Sequence, residues 1–409
     1  MEQNNQLERP SLYDIVLKRE WSYYTGSVLI VIFAMALCMV GSTWGVSGAF
    51  GNWGALLFNL FGVNTGADSV FKNTTLETYS FFGSQPALTD TWIMLGAAVA
   101  CLLAAQWKIR NIKHYKQALA AIIGGLLMGF GAKMAGGCNI GGLFSQLPQF
   151  SLAAWFFLLF VFLGATVGGK LLKFFMPPVS NKRPNRKRLT AEQKARNKKI
   201  QIAAAVAIVV ISAIVALIVA PTYPKAPLLM LIGLGLGYSL QRSRFCFTAA
   251  YRDPGLTGET KLTRAVIVAF ALSTIFFFGK HANQFGADLS GLTAENMPGS
   301  VISLQLFIGA FLFGIGAVLA GGCASGTLVR MGEGYVQLWI CFPFWCIGNF
   351  LGGAITSATS GTFLTAGVKV YLPAVFGGLV PALVIQLAAL LGLWILAWWW
   401  ENKKRAQFN

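Results

Sequence analysis

Three cysteines stand where spacing and surroundings could give a thiol a chemical task. Cys138 and Cys323 each close an Ala-Gly-Gly-Cys run, and Cys246 lies in QRSRFCFTAAYRD, flanked by Arg242, Arg244 and Arg252. A neutral S–H is a weak donor and its sulfur a soft, polarisable acceptor, which suits a substrate whose terminal atom is itself sulfur or selenium. A thiolate would repel an anion, so protonated thiols are expected. Gly136 and Gly137 before the first cysteine, and Gly321 and Gly322 before the second, let the chain turn with little steric cost. The amides opening the segment after each cysteine would then face a cavity as anion-binding donors. Asn139 and Ser325, in those following segments, are counted with the cysteines as candidate substrate contacts.

Two cations invite the same question. Lys133 precedes Cys138 by five residues in an otherwise apolar stretch. A basic residue at bilayer depth costs about 2.5–3.5 kcal/mol on insertion scales, so something must compensate it. Attraction for a substrate anion would do so, as would a structural pair or snorkelling to the interface. Arg330, after Cys323, poses the same choice. Arg244 could gather anions at a cytoplasmic mouth or simply anchor topology. Cys138 and Cys323 could also be small packing residues like the Gly and Ala around them; their symmetric placement at helix breaks favours the chemical role.

The elements that must hold these residues are membrane helices. Hydrophobic residues make up 56% of 409 positions and charged ones 11%, too little polar surface to cover a water-soluble globule of this size. A spanning helix takes about 20 apolar residues. Uncharged apolar stretches run over 27–46, 92–107, 117–137, 151–169, 200–220, 226–241, 265–279, 301–322, 335–359 and 374–400. The expected fold is therefore an all-α polytopic membrane protein of about ten spans. Some stretches are short enough to stop or break within the bilayer. The first follows a charged leader without a convincing cleavage site and is expected to be retained.

The net charge of +18 does not point to nucleic acid, because the basic residues sit in particular connections. With a cytoplasmic N-terminus, only Lys72, Lys225, Lys280 and Lys369 of the 32 Lys and Arg fall outside, and Lys133 and Arg330 lie near embedded segments. The expected organisation is a leader over 1–26, a first repeat over 27–181, a basic linker over 182–199, a closing span over 200–220, a second repeat over 226–400 and a tail over 401–409, with both termini cytoplasmic. The linker reads first as a solvated connection and topology determinant, with contact to anionic membrane lipid as the alternative.

The halves are related. GGLLMGFGAKMAGGCNIGGL (124–143) aligns without gaps on GAFLFGIGAVLAGGCASGTL (309–328), with 11 of 20 positions identical. One residue out of that register, Gly168 and Gly169 fall on Gly352 and Gly353. The copies are the third and eighth spans, so an odd number of crossings separates them and they run oppositely: a five-plus-five inverted repeat with substrate expected at the repeat interface. Neither NIGGLFSQLPQF nor ASGTLVRMGEGY can cross alone, so each is expected as a re-entrant half-helix lining protein or a cavity.

GFGAKMAGGCNIGG, GIGAVLAGGCASG and QRSRFCFTAAYRD together resemble the YeeE/YedE sulfur-transport family, in its longer YedE branch, over nearly the whole chain. The resemblance implies a bacterial inner-membrane protein taking up thiosulfate through an hourglass-shaped path, with successive cysteines handing the ion along by S–H···S hydrogen bonds. At matching positions those thiols are Cys138, Cys246 and Cys323. It also implies a small soluble TusA-like sulfur carrier as a partner and, for the YedE branch, a link to selenium metabolism. In the first half, WGVSGAFGNW (44–53) puts Ser47 roughly where Cys246 stands in the second, a hydroxyl in place of a thiol.

Other functions fit less well. No nucleotide-binding loop is present, so ATP is not a direct energy source. No C-x-x-C pair or His-rich company spells a zinc or thioredoxin-like site, and no cofactor is called for. The alternative to a transporter is a membrane thiol enzyme, a sulfurtransferase or oxidoreductase using the same cysteines covalently. It would need an activated thiolate with a base or a resolving cysteine, and the two histidines, His114 and His281, both fall in expected connections. Cys38, Cys101, Cys341 and Cys346 are expected to serve packing.

Overall fold

A computed structural model describes residues 13, 17–41, 43–63, 79–175, 190–286, 289–293 and 295–408. Most of the expected leader, Lys72, and positions 182–189 of the expected linker lie outside the described residues.

The first half comprises α1 (Tyr23–Val40), α2 (Ser47–Leu60), α3 (Gln85–Leu103), α4 (Tyr115–Met134), a π-helix (Asn139–Phe144), α5 (Leu152–Phe175) and α6 (Ala191–Val219). The second comprises α7 (Ala226–Arg242), α8 (Phe247–Leu256), α9 (Lys261–Phe285), β1 (Ile302–Ser303), α10 (Leu304–Ala320), α11 (Ala324–Gly332), α12 (Val336–Ala358), β2 (Gly367–Val368), α13 (Leu372–Val375) and α14 (Leu379–Phe408). The two strands form one small antiparallel pair. Among the described residues, nine helical segments are long and apolar enough to cross a membrane. The tenth expected stretch, 226–241, forms the 17-residue α7. The chain is thus an all-α polytopic membrane protein.

Two boundaries differ from expectation. The closing span starts inside the expected linker, at Ala191, because Thr190 and Gln193 form a capping box: the Gln193 amide donates to Thr190 Oγ1 at 3.3 Å and the Thr190 amide to Gln193 Oε1 at 3.1 Å. His281, expected in a connection, lies within α9, is buried, and hydrogen-bonds the Tyr371 hydroxyl at 2.8 Å.

The repeat is visible in the packing. Glycines let α4 and α10 cross backbone to backbone: a Cβ on Gly124 would lie 2.8 Å from the Gly316 carbonyl oxygen, and one on Gly131 2.5 Å from that of Gly309. The alignment equates Gly124 with Gly309 and Gly131 with Gly316, so exchanging the halves turns each contact into the other. Contacts that ascend α4 while descending α10 make the two helices antiparallel. Likewise α5 lies on α10 as α12 lies on α4, with Gly164 against Phe311 and Gly348 against Leu126, then Gly168 against Ile315 and Gly352 against Phe130. At the periphery α6 flanks α3 and α14 flanks α9, and both expose apolar side chains such as Val210, Leu217, Val384 and Leu391. Those faces suit lipid.

Candidate functional site

Both repeated helices stop where they were expected to. The α4 helix ends at Met134 and Gly136 turns left-handed (φ +74°); α10 ends at Ala320 and Gly321 turns left-handed (φ +83°). That region favours glycine because it carries no Cβ. Each cysteine then adopts nearly the same extended conformation, φ −88° and ψ −173° at Cys138, φ −79° and ψ −169° at Cys323, and opens the next helix as its N-cap. Gly137 is packed so that a Cβ would lie 2.5 Å from the Gly142 nitrogen, and the Gly322 amide is bonded to the Ala317 carbonyl at 3.1 Å.

Carbonyls freed by the breaks need donors if they are buried. Gln305 Nε2 donates to the Met134 carbonyl at 3.1 Å, and Gln337 Nε2 to the Ala320 carbonyl at 3.0 Å. Arg330 donates to the Gly321 carbonyl at 2.5 Å and lies over the Tyr335 ring. Arg330 therefore fastens the second break and is half-buried there.

The side chains converge on the followers of the two breaks, the π-helix and α11, which touch. Cys138, Asn139 and Cys323 are fully buried and Cys246 nearly so. Cys246 is the N-cap of α8, and its thiol lies on the same side of Gly326 as that of Cys323. Both sulfurs border the space above Gly326, where a Cβ would lie 3.4 Å from Cys323 Sγ and 3.6 Å from Cys246 Sγ. Ser325 Oγ is 3.6 Å from Cys323 Sγ. All the cysteines are free thiols. Arg330 and Arg252 are the cations whose charge reaches Cys246, and Arg252 is itself paired with Asp253 at 2.7 Å.

One residue without a role in the sequence reasoning joins the first break to this thiol pair. Asn139 Nδ2 donates to the Tyr251 hydroxyl at 2.7 Å, and that hydroxyl donates to Thr248 Oγ1 at 3.2 Å. Asn139 Oδ1 and Thr327 Oγ1 are buried without a hydrogen-bond partner, so acceptor and donor capacity remains at the centre. The sequence signal for Tyr251 was a phenol in the segment FTAAYRD that follows Cys246.

Two predicted contacts lie apart from the thiols. The Lys133 side chain runs over Gly352 and Gly353 of α12 and is exposed. Arg244 is bound at one end of the bundle, to Glu333 at 2.7 Å and to Glu20 at 3.0 Å. Glu333 is buried and also accepts from Gln241 at 2.8 Å, while the buried Arg242 donates to Gln241 Oε1 at 2.7 Å and to the Leu17 carbonyl at 2.7 Å. This network ties the end of α7, the segment before α1 and the turn after α11 together.

The symmetry extends to the partners of the breaks. Gly141, the equivalent of Gly326, faces Gly45, with a Cβ 3.7 Å from the Gly45 Cα. The 45–47 stretch thus occupies in the first half the place that Cys246 occupies in the second, and Ser47 begins α2 there.

A family model described as sulphur transport matches residues 1–167 and 242–409, and each matched block carries one Gly-Gly-Cys break. The chain is 34% identical over 373 residues, 88% of either chain, to a protein of Escherichia coli (strain K12) named probable transporter YedE. It is 32% identical over 404 residues, 93% of this chain and 95% of the relative, to a protein of the same name from Salmonella typhimurium. Over 121 residues, 30% of this chain and 34% of the relative, it is 36% identical to the thiosulfate transporter TsuA of Spirochaeta thermophila.

Proposed function

The chain belongs to the sulphur-transport family, and from that premise we propose that it takes up thiosulfate, or a closely related small sulfur or selenium anion, along a narrow path lined by cysteine side chains. The observation that carries this is the meeting of Cys246 and Cys323 beside Gly326, two soft sulfur groups side by side in a site lined by amides and hydroxyls. Thiosulfate has a terminal sulfur that accepts S–H···S contacts and oxygens that accept N–H and O–H donors. Asn139, Tyr251, Ser325 and Thr327 supply the second kind of group. The partial likeness to relatives named as thiosulfate transporters supports the same substrate.

In this proposal the anion passes Cys138 first, crosses at Asn139 and Tyr251, and leaves past Cys323 and Cys246 toward the end tied together by Glu333, Arg244 and Arg242. The basic connections at that end make it the cytoplasmic side of an inner membrane. A soluble TusA-like carrier is a fitting recipient there, because a sulfur anion released beside a carrier thiol can be taken up directly. Lys133 has no place on this path and snorkels at the rim of α12.

Uptake of labelled thiosulfate into proteoliposomes tests the proposal, with Cys138→Ala, Cys246→Ala and Cys323→Ala alongside the parent. Loss of uptake in the variants is expected. Unimpaired uptake in all three would end the thiol path, and a persulfide accumulating on any of these cysteines during turnover would replace transport with covalent sulfur transfer.

A further inference from the structure

Among the described residues Asp90 is an anomalous group: it lies on α3, is fully buried, and neither carboxyl oxygen has a hydrogen-bond partner there. The ionisable groups whose charge bears on it are thiols and a phenol: Cys138 at the first break, Cys346 on α12 and Tyr79 ahead of α3. The helices packed on α3 bring it no counter-ion among the described residues. Across from it α7 presents Gly233, against Thr89 and Trp92, and α11 presents Gly332, against Met94. The charges these helices carry are engaged elsewhere, Arg242 of α7 with Gln241 and Leu17 and Arg330 of α11 with Gly321. The basic residues of α6 lie in its exposed first turns, and α2 has no ionisable side chain. An ionised carboxylate so placed would cost several kcal/mol with nothing to offset it.

We propose that Asp90 is the proton site that couples anion uptake to a proton gradient. The inference rests on the transport reading above and adds its driving force. With Asp90 neutral, an anion can occupy the neighbourhood of Cys138; with Asp90 ionised, two negative charges would share a dry space. Proton binding and anion binding at the first break therefore favour each other, as reciprocal linkage requires. The proton enters from the side that the first break faces, sits on a carboxyl oxygen while the anion is bound, and leaves to the opposite side after the anion has moved on to the Cys246–Cys323 pair. The carboxylate is reprotonated before the next anion binds.

Three measurements on the purified full chain test this. Counterflow exchange of labelled thiosulfate, without any pH gradient, reports the transport reading alone. Accumulation driven by an outward-alkaline or outward-acid gradient, with the membrane potential clamped, reports coupling: one pH unit of external acidity is expected to support about tenfold accumulation per coupled proton. Asp90→Asn, a neutral carboxyl mimic, should keep exchange and lose accumulation, whereas Asp90→Glu, which keeps a titratable group, should retain both. Infrared difference spectra, which need no substrate, should show a protonated-carboxyl band at neutral pH that Asp90→Asn removes. Gradient-driven accumulation undiminished in Asp90→Asn, or no such band in the parent protein, overturns the proposal. Absent exchange with the band present would discard thiosulfate as substrate and leave the proton site standing.

Discussion

The two helix breaks share a backbone and differ in side chains. Cys138 and Cys323 follow the same left-handed glycine and have the same extended conformation, each capping a short helix. Past that point they diverge. Cys323 opens a 9-residue α-helix whose Gly326 is bordered by the Cys323 and Cys246 sulfurs; Cys138 opens a 6-residue π-helix whose Gly141 faces Gly45. The inverted repeat therefore reuses one solution for stopping a helix inside a membrane, and it confines paired sulfur to one side. The Asn139 amide, bonded to Tyr251, follows the other cysteine. A path with equal ends would bind its cargo equally at both; on the proposed path this difference sets where the anion is held by sulfur and where by charge balance.

The largest effects are expected at the sulfur-rich break. Hydrogen bonds to a charged group contribute about 1.5–3 kcal/mol, so Cys323→Ala or Cys246→Ala should lower labelled thiosulfate uptake about 10- to 100-fold. Cys138→Ala, with Asn139 beside it, should cost less. Equal losses at Cys138 and Cys323 would erase the distinction between the breaks. Gly326→Ala and Gly141→Ala sharpen it without removing a thiol. Each new methyl finds ordinary van der Waals space, so the thermal midpoint in detergent should hold in both. Only the methyl at Gly326 would stand between two sulfurs, and one extra carbon in a fitted site costs about tenfold or more in rate. Uptake should fall in Gly326→Ala and stay near the parent value in Gly141→Ala.

Much of this comparison could be seen before any coordinates, for a physical reason. Glycines at a membrane crossing cannot vary without separating the helices, so the matched Gly124 and Gly309, or Gly168 and Gly352, carry the repeat in their spacing. Gly164 and Gly348 share the spacing of the Gly168 pair and could have been found with it. The Thr190-x-x-Gln193 capping box was also written plainly, but the charges after it read as a linker. Other features belong to tertiary structure alone. The Cys246 and Cys323 sulfurs both border Gly326 because α8 packs against α10, the helix that Cys323 follows, and nothing in either segment names the other. Asp90 fell just before an apolar stretch taken to begin at residue 92, where a carboxylate reads as a helix end; its burial comes from neighbours far away in the chain. His281 beside Lys280 looked like a connection until Tyr371 supplied its partner.

Intermediate effects should separate the two breaks by stability. The second is held by Arg330 on the Gly321 carbonyl and Gln337 on the Ala320 carbonyl, the first by Gln305 on the Met134 carbonyl. Removing a partner from a buried polar group costs about 1–3 kcal/mol. Arg330→Ala, Gln337→Leu and Gln305→Leu should each lower the thermal midpoint. Arg330→Ala should in addition weaken uptake, since its charge reaches Cys246. A lowered midpoint with uptake intact in Arg330→Ala would confine that residue to scaffolding.

The smallest effect is expected where the two breaks are joined. Tyr251 accepts from Asn139 and donates to Thr248, and its ring belongs to the apolar core. Tyr251→Phe keeps the ring and removes only the hydroxyl. A typical hydrogen bond contributes about 1 kcal/mol net, which corresponds to about fivefold in uptake. Asn139→Leu removes the donor instead and, because Oδ1 is already unpartnered, leaves no new acceptor stranded except the Tyr251 oxygen. If Tyr251 only orients Asn139, the double variant should be no worse than the poorer single one. If the hydroxyl also touches the passing anion, the losses should multiply, and the junction between the breaks would then be a station on the path in its own right.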